Sequence, residues 1–525
     1  MRHSYAVSLC ALLAMLPSAG HAQTSSPPLS PSPSPSPTPL DTDASYQTML
    51  ALIDEMVENK LVSRERADTL IATAKAKAGR ALAANAPAAP LPPAPIPAAP
   101  VRVSTPVQVA KQERDAGAKI APVPVGNEQV TRTGGVALPA DLAVDWSRGA
   151  PVFSSRDGKF TFKMRGRLLA DVSSTGGSDF DRRNITVSTL RQFRVGAIGT
   201  IGDHLFYQFE TDFRRNATEV VQAFVGYREK FGKTDADVRF GNLITDRGID
   251  IGTASTANPF ITTNINTTAL ATQGGKVFLM GAVGRAGGKN WHASFGVHGD
   301  AIDSDFTRSD NRMFLGRAHW NPILTKRGLI HIGGWAYSEN IPDTTLPTTF
   351  AQGMAGALNN SVRVESAALT GADGSKAFGL ELGGTLGPFY AFGEYGQRTV
   401  HGGPTSTFRS GKIKALSVNG GFWITGETPT YSARSGTYVA PNVLNSVLDG
   451  GWGALEAVVR YEDLDSSSLP LGGTGTAGTI GLNWSLTNNF RFMADYTHFR
   501  TDNRTGSFVG RDSGDTFAAR AEVAF

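Results

Sequence analysis

The most constraining feature of this chain is a strict two-residue alternation that sets in near Lys159. Lys159, Thr161, Lys163, Arg165 and Arg167 hold odd positions, while Phe160, Phe162, Met164 and Leu168 hold even ones. Successive side chains of a β-strand point to opposite faces, so this segment has one cationic face and one apolar face. A soluble sandwich would turn the apolar face inward. A transmembrane barrel inverts the arrangement, with apolar residues against lipid and polar ones lining the lumen. The scheme recurs later. Leu455, Ala457, Val459 and Tyr461 oppose Glu456, Arg460 and Glu462; Phe490, Phe492, Ala494 and Tyr496 oppose Arg491 and Asp495. In the final segment Phe517, Ala519, Ala521, Val523 and Phe525 oppose Thr516, Arg520 and Glu522.

From about Phe153 onward the spacing of Gly, Asn, Asp and Thr clusters predicts strands over 159–171, 189–201, 204–214, 219–229, 236–243, 275–285, 290–300 and 312–321. It predicts eight more over 327–338, 376–386, 388–400, 411–426, 452–464, 474–486, 489–502 and 514–525. Sixteen is an even number, as closure of a bacterial antiparallel barrel requires. Short links (201–204, 230–235, 286–289, 322–326, 387, 487–488) alternate with long ones, which is the turn rim and loop rim of an outer-membrane barrel. Two junctions break the alternation: 215–218 is short where a long loop is due, and 427–451 is long where a turn is due. Tyr227, Trp291, Trp320, Tyr395 and Trp484 lie near strand ends and suit an interfacial aromatic girdle.

The N-terminal third reads differently. Arg2 and His3 precede the apolar run Ala6 to Leu16, and Gly20-His21-Ala22 follows. That is the layout of a secretory signal peptide over residues 1–22. Cys10, the one cysteine, leaves with it, so the mature chain has no disulfide framework. Residues 23–42 carry alternating prolines and form an extended linker. Residues 43–79 show helical spacing, with Met49, Ile53, Met56 and Val57 on one face and Ser63 capping a second short helix. So small a helical pair either self-associates, packs on another protein, or remains a partly ordered surface helix. Residues 80–152 form an Ala/Pro-rich linker, and the barrel occupies 153–525.

Fifty basic residues balance 46 acidic ones, for a net charge of +4, which gives no case for nucleic acid. The nine histidines are scattered without a His-Glu-x-x-His pattern, so no catalytic, metal or cofactor site is expected. A barrel of sixteen strands is wider than its side chains fill and needs a constriction to discriminate between solutes. The 31-residue link 244–274, which carries Asp246, Arg247 and Asp250, is expected to fold into the lumen as that constriction. Basic rings select anions, and the candidate pore-lining and anion-binding residues are Lys163, Arg165, Arg167, Arg191, Arg194, Arg239 and Arg247. Arg191 and Arg194 are three positions apart and so fall on opposite faces unless one sits at a rim or in a bulge. Glu210, Asp212 and Glu456 dilute the positive lining, so the expectation is anion preference and not exclusion of cations.

Several short stretches, in order, resemble the phosphate-selective porin O and P family. They are Phe162-Lys-Met-Arg-Gly-Arg-Leu-Leu-Ala-Asp171, Glu219-Val-Val-Gln-Ala-Phe-Val-Gly-Tyr227, Val238-Arg-Phe-Gly-Asn242 leading to Gly248-Ile-Asp250, Phe392-Gly-Glu-Tyr-Gly396, Thr425-Gly-Glu427, Gly481-Leu-Asn-Trp484 and Ser513-Gly-Asp515. The resemblance implies a sixteen-stranded trimeric outer-membrane porin with basic residues along its lumen. Arg167 and Arg191 match basic positions of that family, whereas Gln192, Phe206 and Ile251 stand where it has an arginine or lysines. The expectation is therefore a passive outer-membrane pore for small inorganic anions, phosphate or polyphosphate among them. Its partners would be outer-membrane lipid, two further copies of the chain, and periplasmic or cell-wall material met by the N-terminal helices. The competing readings are a general diffusion pore, a barrel that anchors a cell-wall tether, and an outer-membrane enzyme.

Overall fold

The structure is a computed structural model and describes residues 142–146, 149–214, 217–272, 275–303, 311–341, 349–354, 358–429 and 431–525. The expected signal peptide, the Pro/Ser linker and the helical segment 43–79 lie outside the described residues.

Sixteen strands close an antiparallel barrel. The first half comprises β3 (Thr161–Gly176), β4 (Thr186–Ile201), β5 (Leu205–Asp212), β6 (Glu219–Phe231), β7 (Thr234–Ile244), β8 (Phe278–Gly287), β9 (Trp291–His298) and β10 (Met313–Trp320). The second half comprises β11 (Gly328–Asn340), β14 (Ala372–Leu386), β15 (Phe389–Gly402), β16 (Ser410–Trp423), β19 (Ala454–Asp465), β20 (Thr474–Ser485), β21 (Phe490–Asn503) and β22 (Gly510–Ala524). Each pairs with the next, and β22 returns to β3 from Asp515↔Gly176 down to Ala524↔Arg167. Every strand expected from the alternation is present, with its ends moved by a few residues. Gly387, at φ 57°, permits the tight Gly-Pro link between β14 and β15.

Among the described residues, six shorter strands accompany the barrel. β1 (Leu142–Asp145) and β2 (Val152–Ser155) pair with each other, and β2 pairs with the start of β3 through Val152↔Lys163. The expected Ala/Pro linker thus ends in a strand pair. The cause is geometric: β22 stops opposite Arg167, and β2 occupies the edge that β3 would otherwise leave open below it. β12 (Thr349–Gly353) and β13 (Arg363–Ala368) form a hairpin in the connection after β11. β17 (Tyr431–Ser432) and β18 (Thr437–Tyr438) form a second, between β16 and β19. Two short helices, α1 (Ile249–Gly252) and α2 (Ile265–Ala269), lie in the connection between β7 and β8.

The outer face is apolar, with Phe162, Met164, Leu168, Phe240, Leu382 and Ile480 among its exposed side chains. No helix among the described residues is long and apolar enough to cross a membrane. The hydrophobic core lies inside the cylinder. Leu270 of the β7–β8 connection packs with Met354, Leu315, Trp335, Ile413 and Phe499 in one buried cluster. Barrel interior and inserted chain therefore pack like a protein core over part of the circumference.

Candidate functional site

The connection between β7 and β8 runs across the interior and is tied to the wall on nearly every side. Asp246 accepts from His292 Nε2 (3.0 Å), Ser294 Oγ (2.8 Å) and Arg317 Nη1 (2.8 Å), on β9 and β10. Ile249 N donates to Glu394 of β15 at 2.8 Å. On the opposite wall, Arg167 Nη1 of β3 donates to Ser255 Oγ (3.2 Å), and Ser255 donates to Gln192 of β4 (2.7 Å). Farther on, Asn483 of β20 donates to the Pro259 carbonyl, Ile261 N to Asp495 of β21, and Ile265 N to Glu462 of β19. Asn264 caps α2 by accepting from Thr267 N at 2.9 Å, the ordinary device for the orphan amides of a helix start.

A second insert enters from the rim of short turns. It is the long 424–453 connection, whose hairpin β17–β18 reaches the β10–β11 wall. His319 Nε2 donates to the Ala433 carbonyl (2.9 Å), and the Tyr431 hydroxyl meets His331 Nδ1 at 2.5 Å. The two inserts also touch each other, since Tyr438 N donates to Thr253 Oγ1 at 3.1 Å. Between the hairpin, the first insert and the β7–β9 wall lies a cavity of about 100 Å³ lined by Arg239, Asp246, Arg285, Ser435 and Thr437 among others.

The inserts divide the inner face into two arcs. On β10 to β22 the inward arginines are buried and ion-paired, while the buried carboxylates Glu394, Glu456 and Asp495 accept from amide and hydroxyl donors instead. Arg317 is held by Glu381, Arg398 by Glu339, Arg460 by Glu462, Arg491 by Glu522 and Arg520 by Asp171. On β3 to β8 the inward basic residues Lys163, Arg165, Arg167, Arg194, Arg239 and Arg285 stay partly exposed. Their carboxylates lie deeper: the Arg194 side chain is 13 % exposed and its partner Asp212 1 %. Arg167 binds Glu210 at 2.8 Å, and Arg239 and Arg285 share Asp237 at 2.8 and 2.9 Å. Arg165 has no ion pair among the described residues.

The expected site residues thus part company. Lys163, Arg165, Arg167, Arg194 and Arg239 share the partly exposed arc. Arg191 is the extra residue of a β-bulge, because Leu169 pairs with Gln192 while Ala170 pairs with Leu190. That bulge returns Arg194 to the inner face, opposite Arg167. Arg247, read from the sequence as pore-lining, is 2 % exposed; the structure corrects that reading. It stands over the Trp335 ring (5.8 Å) and donates to the Thr267 carbonyl (2.8 Å), so it anchors the insert. Burial lowers its pKa to about 10.

The insert's carboxylates diverge as well. Asp246, partly buried, is drawn well below the usual carboxylate range by Arg317 and His292, which outweigh its desolvation. Asp250 is pushed up to about 6 by burial, which outweighs Arg460 and the amide of Asn264. The sequence reading missed Arg285, Arg317 and the hairpin. The one signal for the hairpin was the overlong 427–451 link on the turn rim.

Comparison with known proteins adds the family context. The profile of a family described as phosphate-selective porin O and P matches residues 162–525. An uncharacterized protein of Caulobacter vibrioides is 27% identical over 392 residues, which cover 71% of this chain and 76% of that one. Among solved structures, OmpT of Vibrio cholerae is 13% identical and covers 70% of this chain and 98% of its own, at a TM-score of 0.43. The anion-selective porin from Comamonas acidovorans is 12% identical and covers 70% of this chain and 100% of its own, at a TM-score of 0.43. The outer membrane channel DcaP of Acinetobacter baumannii is 12% identical and covers 71% of this chain and 99% of its own, at a TM-score of 0.42.

Proposed function

The chain belongs to the phosphate-selective porin O and P family, and from that premise we propose that its outer-membrane pore favours small inorganic anions, phosphate among them, over cations. The observation that carries this reading is the asymmetry of the β3–β8 arc. There six inward lysine and arginine side chains stay partly exposed and each ion-paired arginine is more exposed than its own carboxylate, although Asp237 (15 %) and Asp235 (35 %) on β7 also reach solvent. Lining of one sign in a low-dielectric channel focuses the field and concentrates counter-ions. The β7–β8 connection serves as the constriction, since it spans the interior between opposite walls.

The preference is one of field and not of a dedicated phosphate site. Of the three uncharged residues at basic family positions, Gln192 binds Ser255, Phe206 packs beside Arg239, and Ile251 is buried. The heavy pairing of charge elsewhere in the lumen favours a modest preference, close to that of a general diffusion pore. In this reading residues 1–22 direct export, the N-terminal segment lies in the periplasm, and three copies assemble. The decisive measurement is reversal potential under a salt gradient in planar bilayers. It should carry the sign of an anion-preferring channel, and a cation-preferring sign would sink the proposal. Phosphate added to a chloride current separates general preference from a binding site, because only a site produces block.

A further inference from the structure

Arg317, on the inner face of β10, is 2 % exposed and donates to three separate pieces of chain. Its Nε and Nη2 meet the two oxygens of Glu381 on β14 at 2.9 and 2.7 Å. Its Nη1 donates to Asp246 Oδ1 of the first insert (2.8 Å) and to the Ser435 carbonyl of the hairpin (3.2 Å). Its Nη2 also donates to the Gly436 carbonyl at 2.9 Å. A guanidinium carries five N–H donors in one plane, and here each has a protein acceptor. Arg317 therefore has nothing left to offer a passing anion, and its chemistry is that of a clamp.

We propose that Arg317 is a positioning residue that sets the bore of the pore by holding the two lumen inserts against each other and against the wall. The inference rests on the porin reading above but not on its anion preference. The β17–β18 hairpin is two residue pairs long, Tyr431↔Tyr438 and Ser432↔Thr437. A two-stranded hairpin is at best marginal alone, so its place is decided by what it docks on. Its seat on the wall is Arg317 with His319 and His331 beside it. Its seat on the other insert is Gly252, where a side chain would collide: a Cβ carried there would lie 2.6 Å from Thr437 Cγ2. The cavity of about 100 Å³ lies at this junction, bounded by Asp246, Gly252, Ser435 and Thr437 on one side and Arg239 and Arg285 on the other. Either insert, once released, widens the passage beside those two arginines.

The test is single-channel recording from purified full-length protein. Arg317→Ala should raise the conductance roughly twofold and add open-channel noise, as expected when a constriction loses one of its walls. Arg317→Lys keeps the charge but lacks the planar fork and should fall between. A second bond supplies the control. The Cβ position of residue 252 lies 4.0 Å from Cβ of Thr437, within the span of roughly 3.5–4.5 Å that a disulfide needs. Gly252→Cys with Thr437→Cys, added to Arg317→Ala, should bring conductance and noise back to the wild-type values when oxidised, and lose them again on reduction.

A role limited to folding would leave the conductance and noise of the folded Arg317→Ala protein at their wild-type values. If Arg317→Ala fails to fold, judged by its heat-dependent gel mobility, Arg317→Lys in the same cysteine background carries the test. Folded Arg317→Ala with wild-type conductance and noise would overturn the inference, as would an increase that oxidation leaves in place. A wild type that forms no channels at all would instead sink the porin reading.

Discussion

Arg520 and Asp171 stand directly opposite each other across the seam where β22 closes on β3, joined by two hydrogen bonds of 2.7 and 2.8 Å. Both are buried. Removing one partner of such a pair strands the other charge, at a cost of about 3–5 kcal/mol, whereas replacing both by apolar residues of similar volume is far milder. Asp171→Ala should therefore lower the temperature at which the folded band on a gel converts to the unfolded one. Arg520→Leu combined with Asp171→Leu should lower it less. A double variant as unstable as the single would show that the seam does not depend on the pair's electrostatics.

Arg165, which has no ion pair among the described residues, offers the cleanest charge reversal, and Lys163 stands two positions away on the same face of β3. Arg167 is excluded because it holds Glu210 and Ser255, so its loss would disturb the insert as well as the field. Lys163→Glu with Arg165→Glu should move the reversal potential toward cation preference at little change in conductance. Identical potentials in wild type and variant would remove this strip from the selectivity argument.

Phe206 faces the lumen on β5, with the Arg239 guanidinium 5.3 Å from its ring. Phe206→Lys adds a cation to the partly exposed arc and removes that stacking. The anion-to-cation permeability ratio should rise, and phosphate should depress chloride current more than in wild type. A ratio that stays the same or falls would place the selecting field elsewhere in the channel.

Asp250 gives the fold a pH dependence with a definite sign. Burial holds its pKa at about 6, above the ordinary value of 3.8. The folded protein thus keeps a proton that the unfolded chain gives up as pH rises through that interval. The contribution is fully present below about pH 4 and is lost as pH climbs through about 6. Thermal conversion of the wild type should shift to lower temperature between those limits, and Asp250→Asn should flatten that part of the profile. A variant that follows the wild-type curve would assign the dependence to other groups.

Much of this was legible in the chain itself. Lys163, Arg165 and Arg167 against Phe162, Met164 and Leu168 could hardly face anything but water on one side and lipid on the other. The overlong links at 244–274 and 427–451 marked both inserts, although only the first was given a place in the lumen. Arg191 and Arg194 could be seen to conflict unless a rim or a bulge intervened, and only the strand pairing shows that it is a bulge, with Arg191 as its extra residue. Arg247 shows the limit. Its neighbours suggested an eyelet, and nothing in its local sequence told that Trp335, from a strand some ninety residues later, would cover it.

Alternation, a property of neighbours in the chain, determined the strands, their number and the inversion of inside and outside. It works because backbone geometry sends consecutive side chains to opposite faces whatever the rest of the molecule does. Only the tertiary structure decided which inward charges meet solvent and which are cancelled. Arg165 and Arg317 lie on equally inward positions; one keeps contact with the lumen, and the other is consumed by Glu381, Asp246 and two carbonyls. That difference comes from segments folded back from distant points of the chain, whose docking depends on burial and hydrogen-bond geometry in three dimensions.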